Sequence, residues 1–207
     1  ALLTETAAPA AAGAPVELPA LEVDPLLRAE GLESNFGSLV HSLLAACFGG
    51  PAGEEFEPDW LELGIPPRFR AACLASAREL RDRFLSSPLG KLTAQAAAAG
   101  EIRAELPFVR RTGGFLVNGQ IDLLICCGER SLLVDFKSDR VLRQEEYMAQ
   151  LGLYRLAARE LVGRDPECSI FLLRSGESLP LDTSVDWEAK LLRLLASLDA
   201  ASTAKGD

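Results

Sequence analysis

GQIDLLICCGERSLLVDFKSD, residues 119–139, holds two short apolar runs separated by Gly128-Glu129-Arg130. Such runs, bounded by turn residues, read as two strands of a hairpin. Upstream, EIRAELPFVRR (101–111) and GFLVNGQIDLLICC (114–127) meet at Gly113-Gly114, which adds a third strand and makes an antiparallel meander. Three charged residues interrupt this apolar pattern. Asp122 lies between Ile121 and Leu123-Leu124-Ile125, and Asp135 ends Leu132-Leu133-Val134. Carboxylates are disfavoured in strands and costly to bury unpaired. Lys137 follows Asp135 by two positions, so on a strand both side chains take the same face.

Helices surround the meander. Leu39, Val40, Leu43, Leu44 and Cys47 recur at helical spacing, which predicts a helix from about Phe36 to Phe48, stopped by Gly49-Gly50. PAGEEFEPDWLELGIPP (51–67) is turn-rich. A longer helix is predicted from about Pro67 to Leu85, with Phe69, Cys73, Ala77, Leu80 and Phe84 as its apolar stripe. Pro88 breaks it, and a short helix to about Ala98 follows. Beyond the meander come a helix from about Arg143 to Leu161, a strand SIFLLRSG (169–176), and a closing helix from about Trp187 to Leu198. The expected fold is α/β, a central mixed sheet of about four to five strands flanked by helices. Residues 1–20 read as a linker or disordered segment, 21–200 as a single domain and 201–207 as a polar tail.

Composition bounds the function. The chain has 207 residues, 48% of them hydrophobic and 25% charged, with mean hydropathy +0.13. These values suit a water-soluble globular domain, and no apolar run reaches the length of a membrane span. The five cysteines are scattered and odd in number, with Cys126 and Cys127 adjacent; they read as buried, reduced thiols rather than a disulfide framework or zinc site. The net charge of −9 weighs against tight autonomous DNA binding, which needs a basic footprint. An acidic domain can still act on DNA that a neighbouring domain holds. The Ala- and Pro-rich opening is expected to join this domain to a longer polypeptide.

Two carboxylates on adjacent strands, converging on one point, are kept ionised most simply by a shared divalent cation. With Lys137 beside Asp135, the trio suits phosphodiester hydrolysis: the metal polarises a phosphoryl oxygen and lowers the pKa of a bound water, and the lysine stabilises developing charge. An ordinary surface Asp–Lys pair is the bland reading, and the second Asp inside an apolar strand weighs against it. His41, the single histidine, is either structural or a further metal ligand. Gln150 and Tyr154 are one helical turn apart with Tyr147 close by. They are either a partly buried Tyr with a polar neighbour or a face laid over the site.

The run GQIDLLICCGERSLLVDFKSDR (119–140) followed by YMAQLGLYRLA (147–157) resembles the RecB-type branch of the PD-(D/E)xK nucleases, and is most similar to the C-terminal nuclease domain of AddA-type helicase-nucleases. GSLVHSLL (37–44) looks like that branch's histidine-bearing helix, FLSSPLGKL (84–92) and ELPFVRR (105–111) like the elements before the Asp-bearing strand, and SIFLLRSGE (169–177) like the strand after the Gln-Tyr helix. The resemblance implies a restriction-endonuclease-like core. It implies His41, Asp122, Asp135 and the Phe136 carbonyl as metal ligands, and Asp122, Asp135, Lys137, Gln150 and Tyr154 as catalytic residues. Glu105 falls where the family carries an acid, although a strand-edge surface acid is an equal reading. Ser138 stands where a threonine is common.

The implied activity is that of an Mg2+-dependent deoxyribonuclease (Mn2+ as an alternative), an exonuclease in double-strand break repair and recombination. The implied partners are a single DNA strand fed by helicase domains of the same polypeptide and an AddB-like partner protein, in the bacterial cytoplasm and away from any membrane. Some relatives hold an iron-sulfur cluster; the cysteine spacing here leads us to expect none. No GxxxxGK[ST] loop is present, so an ATP-driven motor is expected outside these residues. Two alternatives stay open: a catalytically silent module for DNA binding or subunit docking, and a small-molecule hydrolase using the same metal site.

Overall fold

The structure is a computed structural model and describes residues 16–49 and 56–203. A two-residue strand β1 (Val16–Glu17) is followed by four helices: α1 (Asp24–Glu30), α2 (Glu33–Gly49), α3 (Pro67–Ser86) and α4 (Pro88–Ala98). The meander is β2 (Ile102–Thr112), β3 (Phe115–Cys127) and β4 (Arg130–Lys137). Then come β5 (Val141–Leu142), α5 (Gln144–Val162), β6 (Glu167–Leu172), β7 (Glu177–Pro180) and α6 (Trp187–Thr203).

Local chemistry sets the boundaries. Pro88 ends α3 and opens α4, whose first turn is capped by the Ser87 side chain accepting from the Gly90 N–H at 3.0 Å. Thr112 and Phe115 pair across Gly113-Gly114, both at positive φ (55° and 90°), the backbone a tight two-residue hairpin demands.

The main sheet has the order β2-β3-β4-β6-β7. All neighbours run antiparallel except β4 and β6, which are parallel because α5 carries the chain back across one face. β1 pairs antiparallel with β5 in a separate ribbon. The expected mixed α/β sheet is therefore present, with five strands.

Several details differ from the sequence reading. The expected strand over 169–176 is shorter: β6 stops at Leu172, Gly176 (φ 78°) closes a turn by donating to the Leu172 carbonyl at 2.7 Å, and β7 returns along the edge. Edge strand β7 lacks the apolar alternation that would have marked it. Helix α1 has only seven residues, too few for a periodic signal. Within the segment read as a linker, Val16 and Glu17 form β1; residues 1–15 lie outside the described set. Residues 201–203 of the expected tail belong to α6, and 204–207 are not described. All five cysteines are free, but only Cys73 and Cys168 are buried; Cys126 and Cys127 are half-buried, and Cys47, near the outer end of α2, is exposed. Among the described residues no helix is long and apolar enough to cross a membrane.

Two apolar clusters hold the layers together. On one side α1 to α4 pack Phe36, Leu39, Leu43, Leu80 and Phe84 onto Leu123, Ile125, Val134, Phe136 and Phe171. On the other, α5 and the start of α6 pack Leu151, Tyr154 and Trp187 onto Ile121, Leu124, Leu133, Ile170 and Leu172. Phe84 is fully buried and meets the rings of Phe48, Phe136 and Phe171 edge-on, at centroid distances of 6.0, 4.8 and 5.0 Å. Phe84→Ala should lower stability by about 3–5 kcal/mol. Urea unfolding checks this, and a loss below about 1 kcal/mol would mean that the helical layer is not anchored there.

Candidate active site

Glu105, Asp122 and Asp135 lie in one row across β2, β3 and β4. The pairs Ala104↔Leu123 and Leu106↔Ile121 flank the first two, and the β3–β4 pairing runs from Cys127↔Arg130 to Leu123↔Val134, one step short of Asp122 and Asp135. The sheet opens there. Ile121 packs in the α5 cluster and Leu123 in the α2–α4 cluster, although residues two apart on a strand ordinarily share a face. Glu105 is the single described non-glycine residue with positive φ (50°), a conformation that costs energy and recurs at functional sites. The Asp122 carboxylate bridges the opening, its Oδ2 accepting from the Phe136 N–H at 2.7 Å. The chain of α2 brings His41 over this row. Its Nδ1 is 3.2 Å from Asp122 Oδ1 and 3.9 Å from Glu105 Oε1.

His41, Glu105 and Asp122 each offer a ligand atom within 4.8 Å of the others, the only such group of three or more among the described residues. Two residues implied as ligands, His41 and Asp122, are thus together. Asp135 is adjacent but turns toward Lys137, whose Nζ is 2.8 Å from its Oδ2. The main-chain contact that Phe136 makes here is through its N–H. Glu105, left open by the sequence, belongs to the cluster; its only local signal is an acid before Pro107-Phe108. Gln120 was missed altogether. Its Nε2 donates to Glu105 Oε2 at 2.6 Å, which leaves Oε1 facing His41.

From Lys137 a polar chain continues into α5. Lys137 Nζ donates to Gln150 Oε1 at 2.9 Å, and Gln150 Nε2 donates to the Tyr154 hydroxyl at 2.6 Å. Lys137 Nζ also lies 5.0 Å from the Tyr147 ring centroid, where the ring face attracts a cation. Gly119 makes room for this corner: a Cβ there would come within 2.7 Å of Phe108 and 3.2 Å of Tyr154. The sequence-derived set is therefore brought together as two groups sharing one cleft of about 870 Å³.

The electrostatics follow from crowding. Burial disfavours the His41 imidazolium, but the Asp122 carboxylate, helped by Glu105 and Asp135, outweighs that and raises its pKa to about 9. Burial, then the Asp122 charge, pushes Asp135 up to about 6 against the pull of Lys137. Burial and Asp122 likewise raise Glu105. Burial also raises the Tyr154 hydroxyl, which stays protonated. Three carboxylates thus face two cations, the His41 imidazolium and the Lys137 ammonium, an arrangement short of positive charge.

Asp24 and Arg174 brace the rear wall. The guanidinium donates to both Asp24 oxygens at 2.7 and 2.9 Å, to the Ser138 carbonyl at 2.6 Å and to the Pro19 carbonyl at 3.0 Å. The strand end carrying Lys137 is thereby tied to the segment before α1.

Comparison with known proteins adds to this geometry. The AddA-type chain of an ATP-dependent helicase/nuclease from Exiguobacterium sibiricum is 26% identical over 150 residues, 61% of this chain. The match spans 13% of that relative's length. Among solved structures, that of SSO0001 aligns with TM-score 0.37 and 16% identity over 82% of this chain and 84% of the other. That of a protein from Eubacterium rectale aligns with TM-score 0.33 and 11% identity over 80% and 81%. The sequence pattern of the PD-(D/E)XK nuclease superfamily matches residues 18–202, nearly the whole described chain, and the chain belongs to that superfamily.

Proposed function

We propose that this chain is a metal-dependent deoxyribonuclease, the exonuclease domain of an AddA/RecB-like helicase-nuclease acting in double-strand break repair and recombination. The observation that carries the reading is the His41–Glu105–Asp122 cluster set beside the Asp135–Lys137 pair in one cleft. A docking module has no use for such crowded, mutually repelling carboxylates.

The donor set fits a hard divalent cation. It combines an imidazole with carboxylate oxygens, and the buried Asp135 carboxylate, held by Lys137 at 2.8 Å, lies beside them. His41, Glu105 and Asp122 would hold the ion, with Asp135 and the Phe136 carbonyl as the further oxygen ligands implied by the resemblance. Mg2+ or Mn2+ would supply Lewis acidity, lowering the pKa of a water and offsetting phosphate charge. Lys137, fixed between Asp135 and Gln150, orients the attacking water and stabilises charge that builds on the phosphate oxygens. Tyr154 holds the amide of Gln150 so that its oxygen faces Lys137. The substrate would be a single strand delivered by helicase domains, with an AddB-like partner protein and the bacterial cytoplasm as the setting.

Incubation with end-labelled single-stranded DNA and Mg2+ or Mn2+ tests the reading. Metal-dependent cleavage lost in Asp135→Ala is the expected result. Absence of both cleavage and metal binding would sink it in favour of a silent docking module.

Cation binding should also be coupled to proton release. His41 must lose its proton to become a ligand, so affinity for Mn2+ should rise up to about tenfold per pH unit toward pH about 9, then level off. Calorimetry in buffers of differing ionisation enthalpy checks this; a pH-independent affinity between pH 7 and about 9 would remove His41 from the ligand set.

A further inference from the structure

Four arginines line the same cleft as the acidic row; Arg174 is bound to Asp24, which leaves Arg28 from the last turn of α1, Arg140 from the loop after β4, and Arg143 at the start of α5. Folding gives Arg143 little employment, and gives Arg28 only the modest attraction of the α1 C-terminal dipole. Arg28 and Arg143 are exposed, and among the described residues neither forms an ion pair. Arg143 occupies the N-cap of α5 without a side-chain cap bond, where a cation opposes the helix dipole and where Ser, Thr, Asp or Asn would stabilise the helix. Arg140 reaches Glu17 with one terminal nitrogen at 3.3 Å, while its Nε is shielded from solvent and unpartnered.

The surroundings explain what such residues are for. A chain of net charge −9, with three carboxylates at its centre, repels a phosphodiester backbone. A strand can enter only where local cations offset that field. Ser34, Ser38 and Ser42, four residues apart on α2, line the same cleft with short side chains that leave space for sugar and phosphate; Ser38 donates to the Ser34 carbonyl at 3.3 Å, and Ser34 and Ser42 can donate to phosphate oxygens.

Resting on the nuclease reading above, we propose that Arg28 and Arg143, with Arg140, grip the phosphates flanking the scissile one and so fix the path of a single DNA strand through the cleft. These are contacts to the backbone. They set affinity and register, carry no base preference, and act before and independently of the chemical step.

The test is binding of a labelled oligothymidylate to the 207-residue chain by fluorescence anisotropy. Ca2+ replaces Mg2+, and salt is varied. An Arg28→Ala/Arg143→Ala double variant should bind about tenfold or more weakly at low salt. Its slope of log affinity against log salt should be shallower by about 1.4, two single-strand contacts at about 0.7 each. Lysine at both positions should restore much of the slope, since the charge returns. Mn2+ affinity should be unchanged, because neither residue touches the cluster. Equal binding by the double variant overturns the proposal and leaves the nuclease reading intact. Failure of the unaltered chain to bind the oligonucleotide at low salt overturns it too; Mn2+ binding lost in Asp122→Asn then judges the nuclease reading separately.

Discussion

Lys137→Met should reduce single-turnover cleavage of single-stranded DNA by about 10³-fold or more while leaving cation affinity within a few-fold of the original. The ammonium is 2.8 Å from Asp135 and 2.9 Å from Gln150, so its position is fixed before substrate arrives. A pre-placed charge stabilises a transition state without reorganisation at the moment of reaction. Methionine matches the apolar stem and removes only the charge and its hydrogen bonds. Asp135, relieved of its cation, should then titrate above its present value of about 6, while the His41–Glu105–Asp122 set is untouched. Lys137→Arg should rescue little, because a planar fork cannot satisfy Asp135 and Gln150 from the same point. A Lys137→Met chain that cuts within about tenfold of the original would strip this residue of its proposed role.

Asp122→Asn should abolish cleavage and weaken Mn2+ binding by about 100-fold or more. The substitution keeps an oxygen able to accept the Phe136 N–H, so the fork between β3 and β4 survives. Asp122→Ala would lose that acceptor as well and cost about 1–3 kcal/mol for the stranded buried donor. The two variants together separate the electrostatic contribution from the structural one. A single imidazole makes the readout clean: His41, the sole histidine, should titrate at about 9 by NMR in the metal-free chain and fall markedly in Asp122→Asn. The sign of the linkage is set by this raised value. The ion pair favours the folded metal-free chain fully below pH 6.5 and is lost as pH climbs through about 9. A His41 titration unmoved by Asp122→Asn, with Mn2+ binding intact, would refute the assignment.

The parts of this site that could be read from sequence are those fixed by local periodicity. Asp135 and Lys137 fall on one face because strand residues alternate, and Gln150 and Tyr154 on one face because four residues make a helical turn. Helices α3 and α4 and the meander were legible for the same reason, their apolar stripes and glycine turns being local signals. Glu105 was ambiguous because its place depends on the register of β2 against β3 and on a positive φ, neither encoded in its neighbours. Gln120 and the three arginines were invisible for a related reason. They come from separate parts of the chain and share a cleft only once it has folded. Strand β7 escaped because an edge strand needs no apolar alternation, and α1 because seven residues hold too few turns to show one.

The short turn joining β3 to β4 acts as a gauge block for the whole centre. Cys127↔Arg130 closes on Gly128 and Glu129 alone, and five matched pairs later the two strands deliver Asp122 and Asp135 side by side. A buried apolar side chain along that ladder can be exchanged for another of similar volume at modest expense. Adding a single residue at the turn would slide one strand past the other, turn every following side chain to the opposite face, and set Val134 where Asp135 now stands. Insertions and deletions in this hairpin, more than exchanges among its apolar side chains, are thus changes a working copy of this domain is little free to accept.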